Sequence, residues 1–283
     1  MHRAKEGAPK NRKIFGILDG GILLFVFLIV SIVISTSVSG IENAQRALAS
    51  EYETKQFLTF RSSLQLAELQ KQKTKEVRKM LKNITWLGHD TFKIVDEKTI
   101  YTDPFQIKKS DTADIILITH EHYDHCSPED VKKIQGPNTT IVTTADCARK
   151  LRGNIKTVKP GDRINVSGVE IEAVPSYNIN KPFHPKANGW VGFIFIVQGQ
   201  RIYIAGDTDY IPEMKNFKVD IALLPVSGTY VMTAEEAVKA ALDIKPKLTI
   251  PMHYGAIVGS ESDAQRFKDM LKGKVDVEIL KKQ

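Results

Sequence analysis

In the run Thr119-His120-Glu121-His122-Tyr123-Asp124-His125, three imidazoles and the Asp124 carboxylate fall within six positions. Imidazole nitrogen and carboxylate oxygen are the donors that zinc, iron and manganese sites have in common. His120 and His122 stand two apart, so in an extended or bulged segment their rings point to one side and can share one ion. Asp124 and His125 follow on the turn and reach toward a second ion, roughly 3.5–4 Å from the first, the separation at which a metal pair clamps a water. Water held in this way has its pKa lowered toward ~7, so hydroxide is available near neutrality without a protein base. A merely solvated turn accounts poorly for such a run. It leaves directly from Asp114-Ile115-Ile116-Leu117-Ile118, which has the pattern of a buried strand.

Two further donors follow short apolar runs. Asp207, in Ala205-Gly206-Asp207-Thr208-Asp209, comes after the strand predicted at 201–205, where a glycine lets the backbone turn and the carboxylate project. His253 lies in Ile250-Pro251-Met252-His253-Tyr254-Gly255. Taken alone, Asp207 reads as a turn residue and His253 as a buried, hydrogen-bonded imidazole. Downstream of the cluster, the pair reads as ligands.

The elements that must position these donors begin at Asn83. Residues 84–88, 91–95 and 99–103 are predicted as three short antiparallel strands, with Asp96-Glu97-Lys98 as a turn. Strands then alternate with helices: a strand at 141–144 and helix at 145–151, hairpins at 163–174 and 191–205, a strand at 221–224, helix at 234–242, strand at 248–250, helix at 262–271 and strand at 275–279. This is a mixed α/β pattern that can bury two sheets between helical layers.

Before that domain the texture is different. The chain has 283 residues, 42% hydrophobic and 26% charged, which is ordinary for a globular protein. Yet no charged residue occurs from Gly20 to Gly40, and residues 14–39 read as a transmembrane signal-anchor helix long enough to cross ~30 Å of hydrocarbon. Arg3, Lys5, Lys10, Arg12 and Lys13 precede it, which places a basic tail at 1–13 in the cytoplasm and the rest outside, as a single-pass protein of the cell membrane. Ser37-Val38-Ser39 offers a signal-peptidase site as an alternative to retention. Residues 40–82 lack proline and, beyond Gly40, glycine, so they are predicted as a helical stalk. Apolar residues at three- and four-residue spacings there allow either pairing with a second copy, giving a homo-oligomer, or a single helix lying on the headgroups.

The formal charge of +7 belongs to residues 1–82, and the domain at 83–283 is neutral. A neutral domain lacks the footprint that phosphate-backbone binding needs, so no nucleic-acid partner is expected and a small-molecule substrate is. The membrane-proximal excess suits anionic lipid headgroups.

The series Thr102-Asp103-Pro104-Phe105, His120-Glu121-His122-Tyr123-Asp124-His125, Gly206-Asp207-Thr208-Asp209 and Pro251-Met252-His253-Tyr254 resembles the metallo-β-lactamase superfamily over essentially all of residues 83–283. Trp86-Leu87-Gly88-His89-Asp90, Tyr203-Ile204-Ala205-Gly206-Asp207-Thr208 and Leu224-Pro225-Val226-Ser227-Gly228 are similar to the branch of ascorbate-6-phosphate lactonase-like hydrolases and, more distantly, to the N-acyl-phosphatidylethanolamine phospholipase D type. The resemblance implies a four-layer αβ/βα sandwich with two Zn²⁺ ions at one edge of the sheets. Manganese or iron would also suit a donor set without an obvious thiolate. It further implies that His120 and His122 bind the first ion, that Asp124, His125 and His253 bind the second, and that Asp207 bridges. Asp103 would hold the cluster loop by hydrogen bonds and Asp124 would serve the chemistry. The chain departs from the pattern once. The third histidine of the first site is expected in a Val-Pro-x-x-His context, and Val174-Pro175-Ser176-Tyr177-Asn178 ends in asparagine, leaving His184 or Asn178 itself to complete the site.

Other residues stay open. His89 either lines the pocket or makes a structural hydrogen bond. Tyr177, Tyr230 and Tyr254 either meet substrate or pack. Cys126 and Cys147 either pair or are buried separately. The reading is a membrane-anchored, metal-dependent hydrolase of an ester, lactone or phosphodiester. A scaffolding module on a hydrolase fold is the alternative, and a nuclease a third.

Overall fold

The computed structural model describes residues 19–108 and 111–283. The basic tail at 1–13 and the start of the predicted anchor at 14–18 lie outside the described residues. The chain divides into two compact units, residues 1–69 and 70–283.

The described part of the first unit is the body of a single helix, α1 (Asp19–Met80), whose last turns belong to the second unit. Every side chain described between Leu24 and Leu69 is exposed. The helix runs unbroken through Gly40, where an added Cβ would meet nothing within 4 Å. Within the apolar part, the Thr36 hydroxyl donates to the Ile32 carbonyl at 2.9 Å and the Ser37 hydroxyl to the Val33 carbonyl at 2.7 Å, so both are satisfied inside the helix.

The second unit begins earlier than the predicted domain boundary at 83. Val77 and Met80 of α1 are each 1% exposed and join the domain core, so the end of the predicted stalk is part of the folded body. The first sheet contains β1 (Ile84–Gly88), β2 (Thr91–Val95), β3 (Thr99–Thr102), β4 (Ala113–Leu117), β5 (Gln135–Thr143) and β6 (Asn154–Thr157) in spatial order β1-β2-β3-β4-β5-β6. Strands β1 to β3 are antiparallel, and β3 to β6 are parallel. Helices α2 (Pro128–Ile134) and α3 (Ala145–Lys150) occupy the crossovers.

The second sheet contains β7 (Arg163–Val166), β8 (Val169–Pro175), β9 (Val191–Val197), β10 (Gln200–Ile204), β11 (Ile221–Pro225), β12 (Leu248–Met252) and β13 (Asp276–Val277), ordered β13-β12-β11-β10-β9-β8-β7. It repeats the same plan, with an antiparallel run from β7 to β10 and parallel pairing from β10 to β13. Helices α4 (Ala234–Ile244) and α5 (Glu261–Leu271) connect its parallel strands.

Alternation within the strands shows how the layers stack. On β4, Ile115 and Leu117 enter the main core shared with the second sheet, whereas Ile116, and Ile118 just after the strand, face a separate cluster with Val131 and Ile134 of α2 and Cys147 of α3. Residues Ile221–Pro225 of β11 are all buried, and the Ala237, Ala240, Ala241 and Ile244 side chains of α4 join the same main core. The order is therefore helix, sheet, sheet, helix, the mixed α/β architecture expected from the motifs. Helix α2 and strand β6 escaped sequence reading, because a seven-residue helix and an edge strand reading Asn-Ile-Lys-Thr carry little periodicity. Ser127 caps α2 and Pro128 starts it, the local signals that were available. Cys126 and Cys147 are buried and unbridged, and the Thr144 hydroxyl donates to Cys147 Sγ at 3.3 Å.

Candidate metal centre

The predicted site residues lie on loops that leave the carboxyl ends of strands, where open α/β sheets expose their ligand-binding edge, with His184 farther along the loop after β8. Asp103 follows β3, the His120–His125 loop follows β4, Asn178 follows β8, Asp207 follows β10 and His253 follows β12. The two halves of the site come from different sheets, and Gly206 lets them meet. Its φ is +61°, and a Cβ there would stand 2.9 Å from the Thr119 Cβ. The Val191 amide also donates to the Thr119 carbonyl at 3.2 Å, tying the loop to the second sheet.

Asp103 organises the loop. Its Oδ1 accepts from the Thr119 amide and its Oδ2 from the Thr119 hydroxyl, both at 2.8 Å. Its Oδ2 is also 2.9 Å from His125 Nδ1, which leaves the Nε2 of that ring facing the site. The carboxylate is wholly buried. It supports the loop rather than meeting a substrate.

Two groups of donors result. His120 Nε2 and His122 Nδ1 stand 3.1 Å apart. With His184 and Asp207 they form one group whose ligand atoms all lie within 4.8 Å of one another. Asp124, His125 and His253 form the other, joined by His89. Asp207 faces both. Its Oδ2 is 3.1 Å from His184 Nε2 and 4.0 Å from His120 Nε2, while its Oδ1 is 3.3 Å from His125 Nε2 and 3.1 Å from His253 Nε2. Donors on one tetrahedral zinc, each about 2.0–2.1 Å from it, stand about 3.3 Å apart, so these spacings fit a metal pair with a carboxylate between. The chain also leaves His125 Nε2, His184 Nε2 and Asp207 Oδ1 buried without a hydrogen-bond partner. Such orphans are costly unless an ion satisfies them.

His184 completes the first group, and Asn178 serves it. Asn178 Oδ1 accepts from the His184 amide at 3.0 Å and lies 3.0 Å from His184 Nδ1. Its Nδ2 donates to Asp209 Oδ1 at 3.1 Å and to the Tyr230 carbonyl at 2.9 Å. The amide thus places the proton on Nδ1 and leaves the Nε2 lone pair for an ion. The His253 Nδ1 is held by the Ser227 hydroxyl at 3.0 Å in the same manner.

Sequence reasoning undervalued two residues of the β1–β2 turn. His89 Nε2 lies 3.1 Å from Asp124 Oδ2, and the His89 carbonyl accepts from Trp86 Nε1 at 2.9 Å and from the His253 amide at 3.3 Å. Asp90 is fully buried with neither carboxylate oxygen hydrogen-bonded, its Oδ2 3.9 Å from His125 Nδ1. The signal lay in Gly88-His89-Asp90, where two ionisable residues interrupt an apolar hairpin. His89, Asp103 and His253 all adopt positive φ, at 52°, 35° and 58°. Three non-glycine residues in that region at one site mark backbone strain held by the surrounding bonds.

The electrostatics follow from burial and from these neighbours. Burial together with His125 holds the His120 pKa well below the ordinary imidazole value, and burial with His184 lowers that of His122. Burial would lower His125 and His253 too, but Asp207, with Asp103 and Asp90 respectively, raises both. Burial pushes Asp207 and Asp124 up, yet His253 and His125 bring Asp207 well below the carboxylate range, and the His89 hydrogen bond and His125 bring Asp124 to about 2. Burial takes His89 down to about 4 and Asp90 up to about 7.

Two stacked sheets flanked by helices, with paired histidine and aspartate groups at the strand ends, define a metal-dependent hydrolase of the metallo-β-lactamase fold. Comparison with known proteins gives the same class: residues 83–253 match the beta-lactamase superfamily domain, and the chain belongs to that superfamily. Within it, the chain groups with the UPF0173 metal-dependent hydrolases. It is 33% identical over 201 residues to that of Thermoplasma acidophilum, covering 65% of this chain and 88% of the relative. With that of Pyrococcus abyssi it shares 32% over 217 residues, 70% of this chain and 96% of the relative. A crystal structure assigned as a metal-dependent hydrolase from Parabacteroides distasonis is 38% identical with a TM-score of 0.64, covering 71% of this chain and 93% of that one. A metallo hydrolase from Ignicoccus hospitalis shares the fold at 24% identity and a TM-score of 0.58, covering 70% and 94%.

Proposed function

We propose that this metal-dependent hydrolase works with a dinuclear zinc centre on an ester, lactone or phosphodiester, akin to the ascorbate-6-phosphate lactonase-like branch, and that α1 anchors it in the cell membrane. The observation that carries the metal reading is Asp207, whose two oxygens face two separate histidine groups. His120, His122 and His184 would hold one ion, and Asp124, His125 and His253 the other. Zinc in such a pair supplies Lewis acidity toward a substrate oxygen and a water acidified toward neutrality.

The chain's own residues do the rest. Asp207 fixes the spacing between the groups. Asp103 and Asn178 orient His125 and His184 through their remote nitrogens. Asp124 is 13% exposed, with the His89 ring behind it, and is the group placed to receive and pass on the leaving-group proton. The remaining donors are buried, apart from the partly open His122, so substrate reaches the centre on the side of His122 and Asp124.

The scaffolding alternative rests on the asparagine at 178, where the family pattern has a histidine. His184, whose Nε2 lies 3.1 Å from Asp207 Oδ2 within the first donor group, supports the hydrolase reading over it. The membrane reading is supported by the exposed apolar run from Leu24 and the internally satisfied Thr36 and Ser37, and α1 is long and apolar enough to cross a membrane by length and composition. The exposed Tyr52, Phe57, Phe60 and Leu64 suit burial among headgroups or pairing with a second copy.

The test is metal content of the full chain together with hydrolysis of a panel of lactones, esters and phosphodiesters. Two zinc equivalents with turnover that chelation abolishes and zinc restores are expected. One equivalent or none without turnover would return the scaffolding reading. Labelling of single cysteines placed before and after the apolar run, in intact cells, tests the orientation.

A further inference from the structure

The folded unit exposes few large apolar side chains among its described residues, and most of them lie on the loops that carry the ligands. Among its described residues these are Val95, Tyr123, Ile179, Phe183, Ile257 and Met270. Tyr123 is 68% exposed and sits between His122 and Asp124, the two donors that solvent reaches. Ile179 and Phe183, 52% and 41% exposed, fall between Asn178 and His184, and Ile257 lies four residues beyond His253.

Aromatic pairing ties these residues to both metal groups. The Tyr123 ring lies edge-on to Phe105 at 5.8 Å, and Phe105 lies 5.8 Å from His89 beside the second group. The Phe183 ring lies edge-on to Tyr230 at 4.7 Å, and the Tyr230 carbonyl is the one that holds Asn178 behind His184 in the first group. A polar, charged centre is thus flanked by apolar surface on the loops that supply its donors. Solvation alone gives no reason for such placement, since apolar side chains left exposed on the loops that carry a site's donors mark a binding surface.

We infer that the rim formed by Phe105, Tyr123, Ile179, Phe183, Tyr230 and Ile257 binds the apolar chain of the substrate, so that the enzyme selects an acyl or alkyl ester or phosphodiester over a short polar one. The inference deepens the hydrolase reading and rests on it for the position of the scissile bond. The occupant is fixed by continuity with the centre: the His122 and His184 rings stand 4.9 Å apart, Tyr123 follows the first and Phe183 precedes the second, so the two exposed rings flank the opening through which a substrate reaches the donors. The match is a charged head at the donors and a hydrocarbon tail at the rim.

The experiment is titration of the zinc-loaded full chain, held in phosphatidylcholine nanodiscs, with alkylphosphonates from methyl to octyl, read by calorimetry. Each methylene taken out of water should tighten binding by about two- to fourfold, so octyl should bind at least about a hundredfold tighter than methyl. The readout is the octyl-to-methyl ratio within each protein, which a general loss of affinity does not move and to which lipid partitioning contributes equally in all. In Tyr123→Ser/Phe183→Ser the ratio should fall at least tenfold. Since Tyr123 lies between two donors, Ile179→Ser/Phe183→Ser is measured alongside and should lower the ratio by several-fold. A flat series in the natural protein, or a ratio unchanged in both variants, overturns the proposal and leaves the rim to a lipid surface or a second copy. Hydrolysis of the ester and phosphodiester panel separates the two readings. A steep binding ratio without turnover would remove the hydrolase reading and keep the rim, whereas turnover with a flat ratio would do the reverse.

Discussion

At the scale of single residues, the centre depends on side chains that touch no substrate. Asn178→Ala removes the acceptor of His184 Nδ1 and should cost 10- to 100-fold in affinity for one ion, the usual effect of losing an orienting partner. His184→Ala should cost that equivalent outright. Metal titration followed through Trp190 fluorescence distinguishes them, because that ring lies 4.8 to 5.5 Å from His120, His122 and His184. An affinity equal to that of the natural protein in Asn178→Ala would remove the amide from this role. The pH dependence of metal uptake has a definite sign. His125 and His253 have raised pKa values in the metal-free chain, so both retain protons into the range where an ordinary imidazole has lost them. A ligand nitrogen must be bare, so zinc expels those protons and its affinity climbs with pH until both rings are neutral. Calorimetry in two buffers of different ionisation enthalpy should therefore report net proton release.

At the scale of elements, the last turns of α1 and the glycine after β10 make the clearest tests. Met80 is 1% exposed in the main core, so Met80→Ala should destabilise the folded unit by roughly 2–5 kcal/mol, seen as a lower denaturant midpoint. If the helix before residue 83 were only a stalk, the midpoint would not move. Gly206→Ala should act on the site more than on the fold. Positive φ and a Cβ pressed against Thr119 would displace Asp207, and loss of metal should exceed the loss of stability. A variant that binds two zinc ions with natural affinity would show that the turn tolerates a side chain.

At the scale of the molecule, a metal pair joining loops from two sheets should hold the sheets together. Zinc at a thousandfold excess over its Kd adds about 4 kcal/mol to the folded state, and for a unit of this size that raises Tm by roughly 10 °C. Thermal unfolding with chelator and with zinc measures it, and coincident transitions would mean the donors do not bind zinc in the folded state.

Several things about this protein were already determined by residue type and order. The exposed apolar helix, the alternation of strands and helices, the donors on the loop after β4, and Asp207 and His253 after later strands all rest on local periodicity and local spacing, which a chain displays without folding. The partner of Asn178, the place of His89 beside Asp124, the orphaned Asp90 and the inclusion of Val77 and Met80 in the core were decided only by the tertiary structure. Each of these is a contact between segments far apart in sequence or across a loop of irregular backbone, where no periodicity reports direction. His184 shows the division well. Its residue type named it as a donor, but only the packing of the loop from 176 to 190 against Asp209 and Tyr230 turns its Nε2 toward Asp207.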